Sequence, residues 1–285
     1  MPLLKVIGLA IVQGLAELLP ISSSAHVVVT EKLMGLDPSS PSMTLLLVML
    51  HTGTMAAVIV YFWKRWRTAF QGSEARSIWL LVLATAVTGV VGVALMKVIE
   101  HVFFHGAAHA EVEQLFSHLE LIAPALALVG VLILVAGVLE RRSLPFAGES
   151  SELDLGRATL IGAIQGFCLP FRGFSRSGAT ISTGMLAGVA KDRAEEFSFA
   201  LALILTPPVV AREVLRLAKA EHESGGLGLG STFLPIMLGT ACAFGAGLLA
   251  LRWLSHWLEN GRWYLFGVYC LVAAGAVAML HYIGY

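Results

Sequence analysis

The chain has 285 residues, of which 57% are hydrophobic and only 13% charged, whereas a soluble domain carries about a quarter of its residues charged. This excludes an ordinary soluble domain and points to an integral membrane protein. The 19 basic side chains balance the 19 acidic ones, so no global field attracts nucleic acid and no nucleic-acid partner is expected.

The first apolar stretch, residues 3–35, contains QGLAELLPISSSAH at 13–26. Lys5 before an apolar run and the small residues up to Ala25 imitate a secretory signal, but Gln13 and Glu17 interrupt the run, so the segment is expected to be kept. Gln13 and Glu17, four positions apart, share one helix face. Pro20 ends that helix. Ser22, Ser23 and Ser24 suit the start of the next one, whose free N–H groups and dipole make an anion site. His26 follows Ser23 by three residues and is expected on the same face, within reach of it. Capping serines beside a structurally hydrogen-bonded histidine fit the same residues equally well.

Three spans follow at 43–62, 78–99 and 121–139, each near the length of about 20 residues that a membrane helix needs. His51, beside Thr52, Gly53 and Thr54, reads either as the border of a cavity or as a buried, hydrogen-bonded histidine. The segments 63–76 and 140–157 carry Lys and Arg and are expected inside the cell, whereas 100–120 has neither and is expected outside. His101, His105 and His109 recur every four residues in that external segment, a spacing that fits a metal clamp or simply a solvated loop.

A second apolar region, 158–190, is interrupted by CLPFRGFSRSGAT at 168–180. It offers the guanidinium groups of Arg172 and Arg176, the hydroxyls of Ser175, Ser177 and Thr180, and Gly173 and Gly178, where backbone N–H groups can approach a ligand. Such donors match phosphate or diphosphate oxygens, and an arginine at membrane depth marks function by default. A structural pair of arginines is the alternative. Spans at 196–217, 232–256 and 263–283 complete the chain, with Pro207 and Pro208 expected to kink the first of them or widen a cavity. Cys168, Cys242 and Cys270 stand singly in apolar sequence and read as packing residues.

The two interrupted segments align at an offset of 152, pairing Gln13-Gly14 with Gln165-Gly166 and Ser23 with Ser175. Each is followed by three spans, and the loop charges make one enter from outside and the other from inside. The expected fold is therefore an all-α polytopic membrane protein with an inverted-topology repeat. It has six transmembrane helices plus two broken re-entrant helix pairs in one domain, 1–285, with repeats over 1–139 and 158–285. Both termini then lie outside, and Arg212, Arg216 and Lys219 fall on the external side against the charge rule. Because unpaired backbone groups are costly in lipid, both breaks should line one polar cavity.

These motifs carry a resemblance. QGLAELLPISSSAH, GFSRSGATIS and EEFSFALA at 195–202 make the whole chain resemble the undecaprenyl pyrophosphate phosphatase family, the bacitracin-resistance phosphatases. The resemblance implies a bacterial inner-membrane enzyme that hydrolyses undecaprenyl diphosphate to the monophosphate carrier of cell-wall synthesis. It also implies a divalent metal, Mg2+ or Ca2+, and an active site open to the periplasm. By position Gln13 and Glu17 fall on the family's (E/Q)xxxE pair, Ser23 and His26 on its serine and histidine, and Ser175, Arg176 and Thr180 on its phosphate-contacting motif. The chain departs from the pattern at Gln13, an amide where many relatives have a second carboxylate, and at Arg172-Gly173, where relatives commonly read Pro-Gly. It departs again at Leu47, often acidic in relatives, and by one inserted residue after Gln165.

Together these readings assign the diphosphate of a polyprenyl diphosphate lipid to Arg176, Arg172, Ser22, Ser24, Ser175, Ser177, Thr180 and the backbone at Gly173 and Gly178. They assign the metal to Glu17 with Gln13, attack to Ser23 and general base action to His26. A lipid-phosphate transporter or flippase is the competing class, favoured by the repeat. A phosphatidic-acid-type phosphatase would need a second histidine near an aspartate after the Ser-Arg pair, and SRSGATISTGMLAG has neither. Oligomeric state is not given by the sequence, and a homodimer stays open.

Overall fold

The structure, a computed structural model, describes residues 2–37, 40–71, 75–103, 119–142, 152–223 and 233–284. His105 and His109 lie outside these residues, as does most of the 100–120 segment used for orientation. The described residues form ten helices and no strand. In chain order they are α1 Leu3–Leu18, α2 Ser23–Met34, α3 Pro41–Gln71, α4 Ala75–Phe103, α5 Leu119–Arg142, α6 Leu155–Cys168, α7 Arg176–Leu186, α8 Lys191–Glu223, α9 Phe233–Glu259 and α10 Tyr264–Ile283. Six of them, α3, α4, α5, α8, α9 and α10, are long and apolar enough to cross a membrane, which makes this a polytopic all-helical membrane protein. α8 runs as helix through Pro207 and Pro208.

Each half has the same plan: two short helices joined at a break, then three long ones. α1 stops at Leu18 because Pro20 has no N–H with which to continue the helical ladder. α2 restarts at Ser23, capped by Ser22, whose Oγ accepts from Ala25 N at 3.4 Å. The second break, around Pro170, ends where Ser175 caps α7 by accepting from Gly178 N at 3.2 Å. The caps correct the sequence alignment. Ser22, not Ser23, is the counterpart of Ser175, and the first helical residues Ser23 and Arg176 become equivalent, because the inserted residue falls inside the second break.

The halves exchange partners. α1 of the first half packs on α9 of the second, and α6 of the second packs on α4 of the first, while the two last helices, α5 and α10, pack on each other. Glycine permits each of these approaches. A Cβ on Gly14 would lie 2.6 Å from Ala246 Cβ and 2.7 Å from Ala243 O, and one on Gly166 would lie 2.7 Å from Thr88 O. Without a hydrophobic force between helices in lipid, close backbone contact through small residues is what holds such pairs. The exchange brings the two breaks together. Gly173 N donates to Ser24 Oγ at 3.1 Å, Ser177 Oγ to Leu19 O at 3.4 Å and Cys270 Sγ to Pro20 O at 3.4 Å.

Overpacking these contacts tests the arrangement. Gly14→Val and Gly166→Val are each expected to cost on the order of 1–3 kcal/mol, read as a lower Tm of the purified protein in detergent. Gly89→Ala, where nothing lies within 4 Å of an added Cβ, should leave Tm unchanged or raise it.

Candidate active site

The site is organised around one carboxylate. Glu17, in the last turn of α1 and only 8% exposed, receives four side chains from four helices. Arg176 Nη2, at the start of α7, donates to Oε1 at 3.1 Å. Oε2 accepts from Ser23 Oγ of α2 at 2.5 Å and from Gln13 Nε2 of α1 at 3.2 Å, and faces His51 Nε2 of α3 at 3.3 Å. Gln13 Nε2 also lies 3.2 Å from His51 Nδ1. A buried carboxylate is tolerated only when paired and hydrogen-bonded, and this one is both. The i, i+4 spacing of Gln13 and Glu17 works as expected, and the equivalent positions Ser23 and Arg176 clamp opposite oxygens of one group.

Other residues expected at the phosphate are turned elsewhere. Thr180 is fully buried; its single hydroxyl proton goes to Arg176 O at 2.8 Å while Ser198 Oγ lies 2.6 Å away, so Ser198 donates to it. Thr180 thus holds the first turn of α7, and with it Arg176. Ser177 donates to Leu19 O and Ser175 caps Gly178 N. Ser22 Oγ and Ser24 Oγ lie 3.2 Å apart, with Ser24 also taking the N–H of Gly173. The N–H groups of the two glycines have partners within the protein, Gly173 N in Ser24 Oγ and Gly178 N in Ser175 Oγ. Gly173 adopts φ +95° with Ile122 O where a Cβ would be, and a Cβ on Gly178 would press on Ile133. Arg172 is exposed, and its charge acts on the buried Glu31 of α2.

His26 departs from expectation as well. Its Nδ1 lies 2.8 Å from Ser22 O and its Nε2 2.7 Å from Tyr269 OH of α10, so both ring nitrogens are held away from Ser23, whose hydroxyl goes to Glu17 instead. The imidazole that touches the carboxylate is His51. A histidine inside an apolar span followed by Thr-Gly-Thr was the signal for it; Tyr269, one of three tyrosines in α10, gave none.

The donor set suits a hard divalent cation. Among the described residues no three His, Cys, Asp or Glu side chains cluster, but Mg2+ is commonly held by one or two carboxylates completed by phosphate oxygens and water. Glu17 supplies one such carboxylate, while Gln13 presents Nε2 to it and would have to turn its amide over to add an oxygen.

Residues 6–276 match the family described as bacitracin resistance protein BacA. The chain is 55% identical to undecaprenyl-diphosphatase 2 of Acinetobacter baylyi, covering 98% of both chains. It is 34% identical to undecaprenyl-diphosphatase of Rhodopirellula baltica over 98% of both, and 33% identical to undecaprenyl-diphosphatase 2 of Burkholderia ambifaria over 96% of this chain and 95% of that one. With a match that spans nearly the whole sequence, the chain belongs to the bacitracin resistance protein BacA family.

Proposed function

We propose that the protein hydrolyses undecaprenyl diphosphate to undecaprenyl phosphate and inorganic phosphate, recycling the lipid carrier of peptidoglycan synthesis and conferring bacitracin resistance. The observation that carries this reading is the Ser23–Glu17–Arg176 contact at the meeting of two helix N-termini, within a chain so similar to proteins named for that activity. A hydroxyl, its proton acceptor and a guanidinium there meet the needs of phosphoryl transfer.

In this mechanism the diphosphate lies against the starts of α2 and α7, where free first-turn amides and both helix dipoles favour an anion. Arg176 gives Glu17 a contact through Nη2, and its guanidinium carries five N–H donors for phosphate oxygens; exposed Arg172 adds a second positive charge. Ser23 Oγ attacks the terminal phosphorus as its proton passes to Glu17 Oε2, and the bond to the bridging oxygen breaks to release the prenyl monophosphate. Water then displaces the phosphoryl group from Ser23 with His26 as base, which frees inorganic phosphate and restores the serine. Glu17 and Gln13 would hold Mg2+ or Ca2+, which when bound neutralises diphosphate charge. His51 fixes the carboxylate and amide in place. The enzyme sits in the bacterial inner membrane with this site toward the periplasm, and the prenyl chain leaves between spans into lipid.

Purified protein in detergent, given undecaprenyl diphosphate and Mg2+, should release inorganic phosphate. Ser23→Ala and Arg176→Ala should each lower the rate by a factor of about 100 or more. Full activity in both variants would overturn the site, and no release from the unaltered protein would favour lipid transport instead. Chelation of divalent metal is expected to stop release, and Gln13→Glu, which adds a charged ligand, to lower the Mg2+ concentration giving half the maximal rate. His51→Leu should reduce kcat by about tenfold or more, with His51→Gln, which keeps a donor, losing less.

A further inference from the structure

The side chain through which His26 is held belongs to no role assigned above. A carbonyl oxygen only accepts, so the 2.8 Å contact with Ser22 O puts the proton of neutral His26 on Nδ1. The lone pair is then on Nε2, where Tyr269 O–H donates across 2.7 Å. The phenol ring also stacks on the imidazole, with centroids 5.6 Å apart and planes within 14°. The hydrogen bonds at the two nitrogens fix the ring's direction and its tautomer together. Ser22 is adapted to the same end. It is the one non-glycine residue among those described with positive φ, at 68°, a conformation that persists only where surrounding contacts enforce it. That twist aims its carbonyl at His26 while the next residue turns its hydroxyl to Glu17. From α10, Cys270, the neighbour of Tyr269, donates to Pro20 O in the same break, so the register of α10 against the break is fixed at two adjacent residues.

We infer that Tyr269 is a positioning residue of the diphosphate site, acting through His26. It selects the Nδ1–H tautomer, makes Nε2 the basic nitrogen, and keeps the imidazole off Ser23 so that the serine has Glu17 alone as its proton acceptor. The division of labour follows: Glu17 serves attack by the serine, and His26 serves the water of the second step. In the second step a water takes the place of the Tyr269 hydroxyl at Nε2. The inference rests on the phosphatase reading and deepens it.

The experiment uses the full chain in detergent with undecaprenyl diphosphate as substrate. Tyr269→Phe, which keeps the stacking ring and removes only the hydroxyl, is expected to lower kcat about tenfold with KM within about twofold of the unaltered protein. In a double-mutant cycle it should have no further effect once His26 is alanine, because the tyrosine acts only through the histidine. With 15N-histidine label, the two nitrogen resonances lost in His26→Ala should report the Nδ1–H tautomer in the unaltered protein and shift in Tyr269→Phe; a merely structural role would not move them. An inactive His26→Ala beside a Tyr269→Phe with normal kcat and unshifted His26 resonances would overturn the role of Tyr269 and leave the phosphatase reading standing. Losses that multiply in the double variant would overturn it too. A fully active His26→Ala would instead overturn the assignment of His26 as base, and this inference with it.

Discussion

The constraint on which the rest depends is the burial of one carboxylate inside the protein. Glu17 is nearly inaccessible, and an uncompensated carboxylate there would cost several kcal/mol. Compensation needs donors on both oxygens, and no single helix offers them, since neighbours at i±3 and i±4 supply Gln13 alone. The remaining partners must arrive from α2, α3 and α7. The carboxylate therefore dictates that both breaks and the middle of a span converge, and the convergence produces the chemistry: the hydroxyl and guanidinium that satisfy Glu17 are the groups phosphoryl transfer requires. In the proposed mechanism the same contacts serve stability and function.

Convergence is possible because the long helices have crossed between halves. α1 reaches the centre by lying against α9, and α6 by lying against α4, each on a glycine that lets backbones touch. A residue with a Cβ at 14 or 166 would push its helix outward, and the hydrogen bonds that join break to break, such as Gly173 N to Ser24 Oγ at 3.1 Å, would stretch with it. Precision in the site is thus set by contacts one helical face away from it.

Much of this was legible in the sequence, for reasons that explain what was not. The six spans, the two breaks and the shared face of Gln13 and Glu17 follow from length, apolarity, proline and helical period, all local properties. The breaks' meeting followed from the cost of unpaired backbone in lipid. What local rules could not give was rotation. Ser177 and Thr180 carry the right chemistry for phosphate, yet α7 turns both into the protein, because Ser198 and the backbone of the first break stand on that side. His26 lies one turn from Ser23, yet its ring is claimed by a tyrosine 243 positions away. The inserted residue had a similar effect. It sits where the chain is not helical, so matching letters paired Ser23 with Ser175, whereas the helix caps pair it with Arg176.

That corrected pairing shows how a repeat yields a single site. The two equivalent first residues of α2 and α7 have diverged into a neutral hydroxyl and a permanent charge, and each takes one oxygen of the same carboxylate. The carboxylate itself has no twin, since the offset that relates Gln13 to Gln165 carries Glu17 onto Leu169. Gln165 lies fully buried, and among the described residues neither of its amide atoms has a hydrogen-bond partner. At position 13 the amide works because it can donate: Gln13 gives Nε2 to Glu17 at 3.2 Å, where a second carboxylate would repel it unless a cation stood between them. An amide at 13 therefore closes the site by hydrogen bonding alone, and a metal entering it must compete with those bonds for Glu17.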